Sequence, residues 1–286
     1  SLPNGSTKEV RWIQFRVPLN SPDAVAVNGI NDFRSIRFMR MFLSEFNEDV
    51  VLRFGTLDLI RGDWRTYTQT LDDTDPAPDD DGTVFEVNAV NTQENSNRDP
   101  IPYVIPPGVQ LEELFSNNTV LRQNEQSLSL RIQDLEHQDA RGVYKNINID
   151  MLQFKKLRMF LHAEPFSATD PLSDNEMVAF LRMGNDLTDN YYQIEIPLQV
   201  TPLGLGSYTQ EDVWPAINEI NLTLESLKEV KARKITPTGI LSTISFYDIL
   251  TSGEIVDVTE FDPRTLGVQR IAIKGNPSLG NIRTLM

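Results

Sequence analysis

The chain has 286 residues, no cysteine, and 26 basic against 41 acidic side chains, for a formal net charge of −15. That balance excludes a phosphate-neutralising nucleic-acid surface and peripheral binding to an anionic membrane face. The missing cysteines exclude thiol chemistry, disulfides and Cys-ligated zinc. With 40% hydrophobic and 23% charged residues, the chain is globular, and its length suits about two domains that bury their own cores.

No apolar run approaches the ~20 residues of a spanning helix. Ser1 to Thr7 is small and polar, without the charged and apolar regions of a signal peptide. The chain starts without Met and ends at Met286, inside an apolar, strand-like run. Both ends are those expected of a segment cut from a longer polypeptide.

In chain order, short β-branched and aromatic runs broken by polar residues predict an all-β protein. Val10–Leu19 alternates apolar with polar residues. Phe33–Phe42, Val50–Phe54, Trp64–Leu71 and Gly82–Val90 complete a first group of strands. A second group runs through Ser127–Ile132, Val143–Ile149, Phe154–Ala163, Met177–Met183, Tyr191–Val200, Ile217–Leu224 and Val268–Lys274. Leu224–Lys234 carries charges at helical spacing and reads as a short helix or a turn. Gly275-Asn276-Pro277-Ser278 reads as a tight turn, because Gly and Asn tolerate positive φ and Pro starts turns.

Between the groups lies Asn91–Asn124, with Pro100, Pro102, Pro106, Pro107 and Gly108. Proline removes a donor, so this stretch cannot be a central strand. Its apolar residues, Ile101, Tyr103, Val104 and Ile105, predict a strap packed on something. Asp72–Asp81 is an acidic run with two prolines and reads as a hairpin-tip loop. Calcium binding is its alternative, although EF-hand spacing is missing.

Two stretches match in order. Asp32-Phe33-Arg34-Ser35-Ile36-Arg37-Phe38 resembles Gln153-Phe154-Lys155-Lys156-Leu157-Arg158-Met159, and Leu52-Arg53-Phe54-Gly55 resembles Leu181-Arg182-Met183-Gly184. Asp63–Tyr67 then falls where Asn190–Ile194 falls. The expectation is two related antiparallel units, sandwich or jelly roll, at residues 8–98 and 125–286, joined by a strap at 99–124. The pattern looks like the galactose-binding-like jelly rolls of carbohydrate-binding modules.

No motif carries catalysis. His137 and His162 lack a metal-ligand spacing. No Gly-x-Ser-x-Gly elbow supports a triad, and Gly204-Leu205-Gly206-Ser207 lacks the marks of a phosphate loop. Glu164 and Glu219 are the carboxylates weighed as a glycosidase acid. No enzyme, cofactor or metal is therefore assigned. Trp64, Tyr67, Tyr103, Tyr191 and Tyr192 are the candidate interaction surface. Trp64, Tyr67, Tyr144, Tyr191, Tyr192 and Tyr208 are rings that could stack on sugars, so a carbohydrate-binding module is the alternative reading.

A likeness of wider reach joins these pieces. Asp32–Tyr67, Glu94-Asn95 with Pro102–Gly108, Asn124–Asp150, Thr188–Tyr192, Val213-Trp214-Pro215 and Lys274–Met286 together resemble the SprA/Sov family of Bacteroidetes cell-surface proteins. The resemblance implies a portion of a very large outer-membrane β-barrel protein, the translocon of the type IX secretion system. That system passes folded cargo to the cell surface and is required for gliding motility where it occurs. The partners implied are the remainder of the parent protein, other translocon parts and secreted cargo. Contact with the membrane would come only through the parent.

Overall fold

A strand persists only where a neighbour takes up its backbone groups, so pairing decides which apolar runs become strands. The computed structural model describes residues 17, 25, 27, 39–41, 44–48, 51–55, 64–71, 82–109, 113–116, 119–122, 125–236, 239–240, 243–258 and 265–286. The chain groups into two compact units, 1–59 and 60–286.

In the first unit the described residues hold no helix or strand. Leu52–Gly55, expected as a strand, has no strand partner among the described residues, and Val51 and Phe54 are 89% and 63% exposed. β-propensity reports fit to a half-buried pleated surface, and these side chains have none. The expected strands at Val10–Leu19 and Phe33–Phe42 fall almost wholly outside the described residues, as does the acidic loop Asp72–Asp81.

The second unit is rich in strands. Its strands are β1 (Arg65–Thr66), β2 (Val84–Asn91), β3 (Glu113–Ser116), β4 (Thr119–Arg122), β5 (Gln126–Gln133), β6 (Val143–Ile149), β7 (Lys156–Met159) and β8 (Val178–Gly184). Then come β9 (Tyr191–Pro197), β10 (Ile220–Thr223), β11 (Ile235–Thr236), β12 (Gly239–Ile240), β13 (Ser245–Ile249), β14 (Ile255–Asp257), β15 (Gln269–Lys274) and β16 (Ile282–Leu285). Helices are few: α1 (Thr92–Asn95), α2 (Gln210–Val213) and α3 (Leu224–Lys234).

An eight-stranded antiparallel sheet dominates, in the order β1-β6-β16-β8-β9-β15-β13-β14. Period-two alternation sends Leu181 and Met183 of β8, Tyr192, Ile194 and Ile196 of β9, and Ile271 and Ile273 of β15 to one face. That face is covered by the β7–β10 ribbon and by α3, through Ile220, Leu222, Leu224, Leu227 and Val230. The helix forms because Thr223 caps it, accepting from the Ser226 N–H, and because Leu227 and Val230 recur at helical spacing.

The Pro-rich segment does not separate one sheet from another. β2 lies before it and β5 after it, and these strands pair along their whole length from Val84↔Gln133 to Asn91↔Gln126. Within the expected strap, β3 and β4 form their own hairpin.

Candidate functional site

The strap is the first candidate, because it is held by side chains rather than by a sheet. Its first anchor is a cap. The Asn91 side-chain oxygen accepts from the Gln93 and Glu94 N–H groups at 3.0 and 2.9 Å and starts α1. The chain then turns. Arg98 Nε donates to Ile101 O at 2.9 Å while its Nη2 reaches Glu164 Oε1 at 2.5 Å.

Behind that clamp, Ile101 and Tyr103 are buried against Val213 and Trp214. Tyr103 Oη donates to Glu125 at 2.5 Å and shares a hydrogen bond with Ser127 at 2.7 Å. Burial and the Glu125 carboxylate both push the phenol above its ordinary pKa. Two further strap carbonyls are taken by side chains: Trp214 Nε1 donates to Val104 O at 2.7 Å and Gln210 Nε2 to Ile105 O at 2.6 Å. A proline-rich segment is short of donors, and these contacts use the acceptors that it keeps.

His162 and Glu164 stand two residues apart in an extended segment, so both face the strap. His162 Nδ1 lies 2.7 Å from Val213 O and its Nε2 lies 3.1 Å from Glu164 Oε2. Burial alone would raise the Glu164 carboxyl. The hydrogen bonds and charges of His162 and Arg98 outweigh it and hold the group below the ordinary carboxylate range. Glu219, the other carboxylate weighed as an acid, pairs with Arg158. Both are tied to cations in structural ion pairs.

The predicted aromatic surface does not assemble. Tyr103, Tyr191 and Tyr192 are buried, at 8%, 4% and 0% exposure. Tyr103 belongs to the strap. Tyr192 lies in the main core, where burial alone raises its pKa and its hydroxyl has no hydrogen-bond partner among the described residues. Tyr191 faces the other side of the sheet under the Arg182 guanidinium, 4.1 Å from its ring centre. There Arg182 donates to Gln193 at 2.7 Å, Gln193 to Glu195 at 2.6 Å, and Arg270 to Asp248 at 2.7 and 3.0 Å. The misplacement has a simple cause: in a sheet with two covered faces, alternation no longer separates exposed from buried rings.

Trp64 and Tyr67 are half-buried at the β1 end of the sheet. Lys145 Nζ sits 4.8 Å from the Trp64 ring centre, and Tyr67 meets Tyr144 edge-on at 6.0 Å. They are far along the sheet order from the β9 tyrosines.

A second candidate is an open groove of about 680 Å³ at β6 and β16, lined by Asn146, Asn148, Asn185, Asn281, Arg283 and Thr284 among others. No spacing signal announced it, since its residues come from three distant stretches of chain. Among the described residues no cluster of His, Asp and Glu is arranged to hold a metal ion.

The family comparison covers more ground than either candidate. The SprA_N family, described as motility related/secretion protein, matches residues 1–286. The chain belongs to that family. This meets the likeness drawn from Asp32–Tyr67, Pro102–Gly108 and Val213-Trp214-Pro215. The residues that carry the likeness include the strap and its Trp214 anchor, so the resemblance runs through a packed feature of the fold. A search of curated proteins found no match. No helix among the described residues is long and apolar enough to cross a membrane.

Proposed function

We propose that this chain is a non-catalytic structural and interaction module of a large outer-membrane protein-secretion translocon, of the type IX kind linked to gliding motility. It contacts other parts of that translocon or the cargo passing through it. The observation that carries the reading is family membership along all 286 residues.

The chemistry of the strap cluster supports the same reading. Arg98, His162 and Glu164 bind one another and strap or loop carbonyls. Catalytic groups instead converge on a space where a reacting atom fits. The carbohydrate alternative is the weaker reading, because Tyr191 and Tyr192, two of the rings weighed for sugar stacking, are buried.

The test is association. The purified chain, mixed with the barrel-bearing remainder of its parent protein, is expected to co-elute with it and to protect it from proteolysis at the contact. No association, with both partners folded, overturns the module reading. An epitope placed in the Asp72–Asp81 loop and probed on intact cells then assigns the membrane face.

A further inference from the structure

Both ring nitrogens of His162 face oxygens. Nδ1 lies 2.7 Å from Val213 O and 3.3 Å from Thr201 Oγ1, and Nε2 lies 3.1 Å from Glu164 Oε2. Each of these oxygens can only accept. Val213 O is a backbone carbonyl at the C-terminal end of α2. Thr201 has one hydroxyl hydrogen, and it goes to Asp212 O at 2.9 Å. The Glu164 carboxyl lies below its ordinary range and is a carboxylate at neutral pH, with no hydrogen to give.

A neutral imidazole carries one N–H and one lone pair. Whichever nitrogen holds the hydrogen, the other turns its lone pair on an acceptor. Only the imidazolium, with an N–H on each nitrogen, satisfies both contacts. The side chain keeps 17% exposure, so solvent reaches it to exchange a proton.

The two contacts lead to the strap by separate routes. Through Val213 O the ring fixes the end of α2, and the next residue, Trp214, donates to Val104 O at 2.7 Å. Through Glu164 it steadies the carboxylate that holds Arg98, whose Nε donates to Ile101 O at 2.9 Å. Among the described residues, the charged groups facing the ring are Glu164 on its own segment and, behind it, Arg98. Glu164 therefore serves two cations. Asp212 meets this corner with its backbone, while its carboxylate accepts from the Thr209 N–H and hydroxyl at 2.8 and 2.7 Å. The Trp214 ring packs on His162 from the α2 side, and the Tyr103 phenol beyond it is turned to Glu125.

We propose that His162 is a proton-operated latch on the Pro-rich strap. As the imidazolium it holds both routes. On losing a proton it keeps the shorter bond, to Val213 O, and drops Glu164, so the Arg98 end of the strap loosens. The contribution of that bond is present while the ring is protonated and is lost as pH rises through the ring's titration. This is opposite in sign to protonation of Glu164 in acid, and the strap is held most firmly between the two. The latch belongs to the fold and holds whichever partner the chain meets.

The experiment follows hydrogen exchange in the 286-residue chain from about pH 5 to about pH 9, a range that spans the charge change of histidine. The Tyr103 amide, which donates to Asn95 O at 2.8 Å, reports on the strap. The Ile271 amide, in the doubly paired strand β15, reports on the whole fold. The protection of Tyr103, corrected for the intrinsic pH dependence of exchange, is expected to fall about tenfold relative to Ile271 as pH rises, the size of one charge-assisted bond discounted for partial exposure. His162→Gln, neutral throughout, is expected to show the lower protection at every pH and no such fall. His137, exposed in a turn, is the control, and His137→Gln is expected to keep the fall. Should His162→Gln fail to fold, the natural chain and His137→Gln decide. Tyr103 protection that stays constant against Ile271 overturns the latch, as does a fall that persists in His162→Gln or vanishes in His137→Gln.

Discussion

The Trp214 indole donates to the Val104 carbonyl across 110 residues of sequence, at 2.7 Å. This one bond ties the Pro-rich strap to the loop that follows α2. Trp214→Phe keeps most of the ring's packing against Tyr103 and His162 but leaves a part-buried carbonyl without that donor. The expected cost is about 1–3 kcal/mol, read as a lower urea midpoint. The strap should also become the first site of limited proteolysis, since local opening precedes cleavage.

The Arg98–Glu164–His162 cluster makes stability depend on acid. The Glu164 carboxyl lies below its ordinary pKa in the fold, against an ordinary value in the unfolded chain. Its contribution is therefore complete above the ordinary carboxylate pKa and is lost as pH falls through the lower folded value. Urea midpoints of the Glu164→Gln variant should lie below those of the natural chain at neutral pH. The gap should hold from about pH 7 down to the ordinary carboxylate pKa and close as pH falls from there toward about 3. A constant gap across that range would show that the carboxylate's charge contributes nothing.

Tyr192 gives the opposite sign. Its ring is fully buried in the main core and its hydroxyl has no partner among the described residues. Removing an unsatisfied buried group recovers its desolvation penalty, so Tyr192→Phe is expected to stabilise by about 1 kcal/mol. Thermal or urea unfolding reads this directly. Tyr103→Phe, which forfeits bonds to Glu125 and Ser127, should destabilise.

The turn between β15 and β16 tolerates no side chain at Gly275. It sits at φ +59°, and an added Cβ would lie 2.1 Å from Asp189 O. That oxygen is fixed because Asp186 Oδ1 gathers the N–H groups of Thr188, Asp189 and Asn190 at 3.1, 2.6 and 2.8 Å. Gly275→Ala should cost several kcal/mol, on the order of the larger single-residue losses. Loss of the soluble fold on expression, or a collapse in melting temperature, checks it.

Local pattern was enough for much of the second unit. Val143–Ile149 is a strand with the expected bounds, and Leu224–Lys234 is the helical option of its helix-or-turn reading. The Gly275 turn was legible because positive φ leaves a mark in residue choice. β13, β14 and the β3–β4 hairpin were not read as strands, being short runs whose strand state depends on a distant partner. Leu52–Gly55 shows the converse: a good strand sequence whose described surroundings provide no such partner.

By itself, then, the sequence determined the β class, the family, the acidic charge and the packing strap, since each rests on composition, local alternation or a run of matching residues. The tertiary structure alone decided what the aromatic rings do. Tyr191 and Tyr192 are buried on β9 because distant segments of chain meet there, and no local pattern in the chain encodes which segments meet.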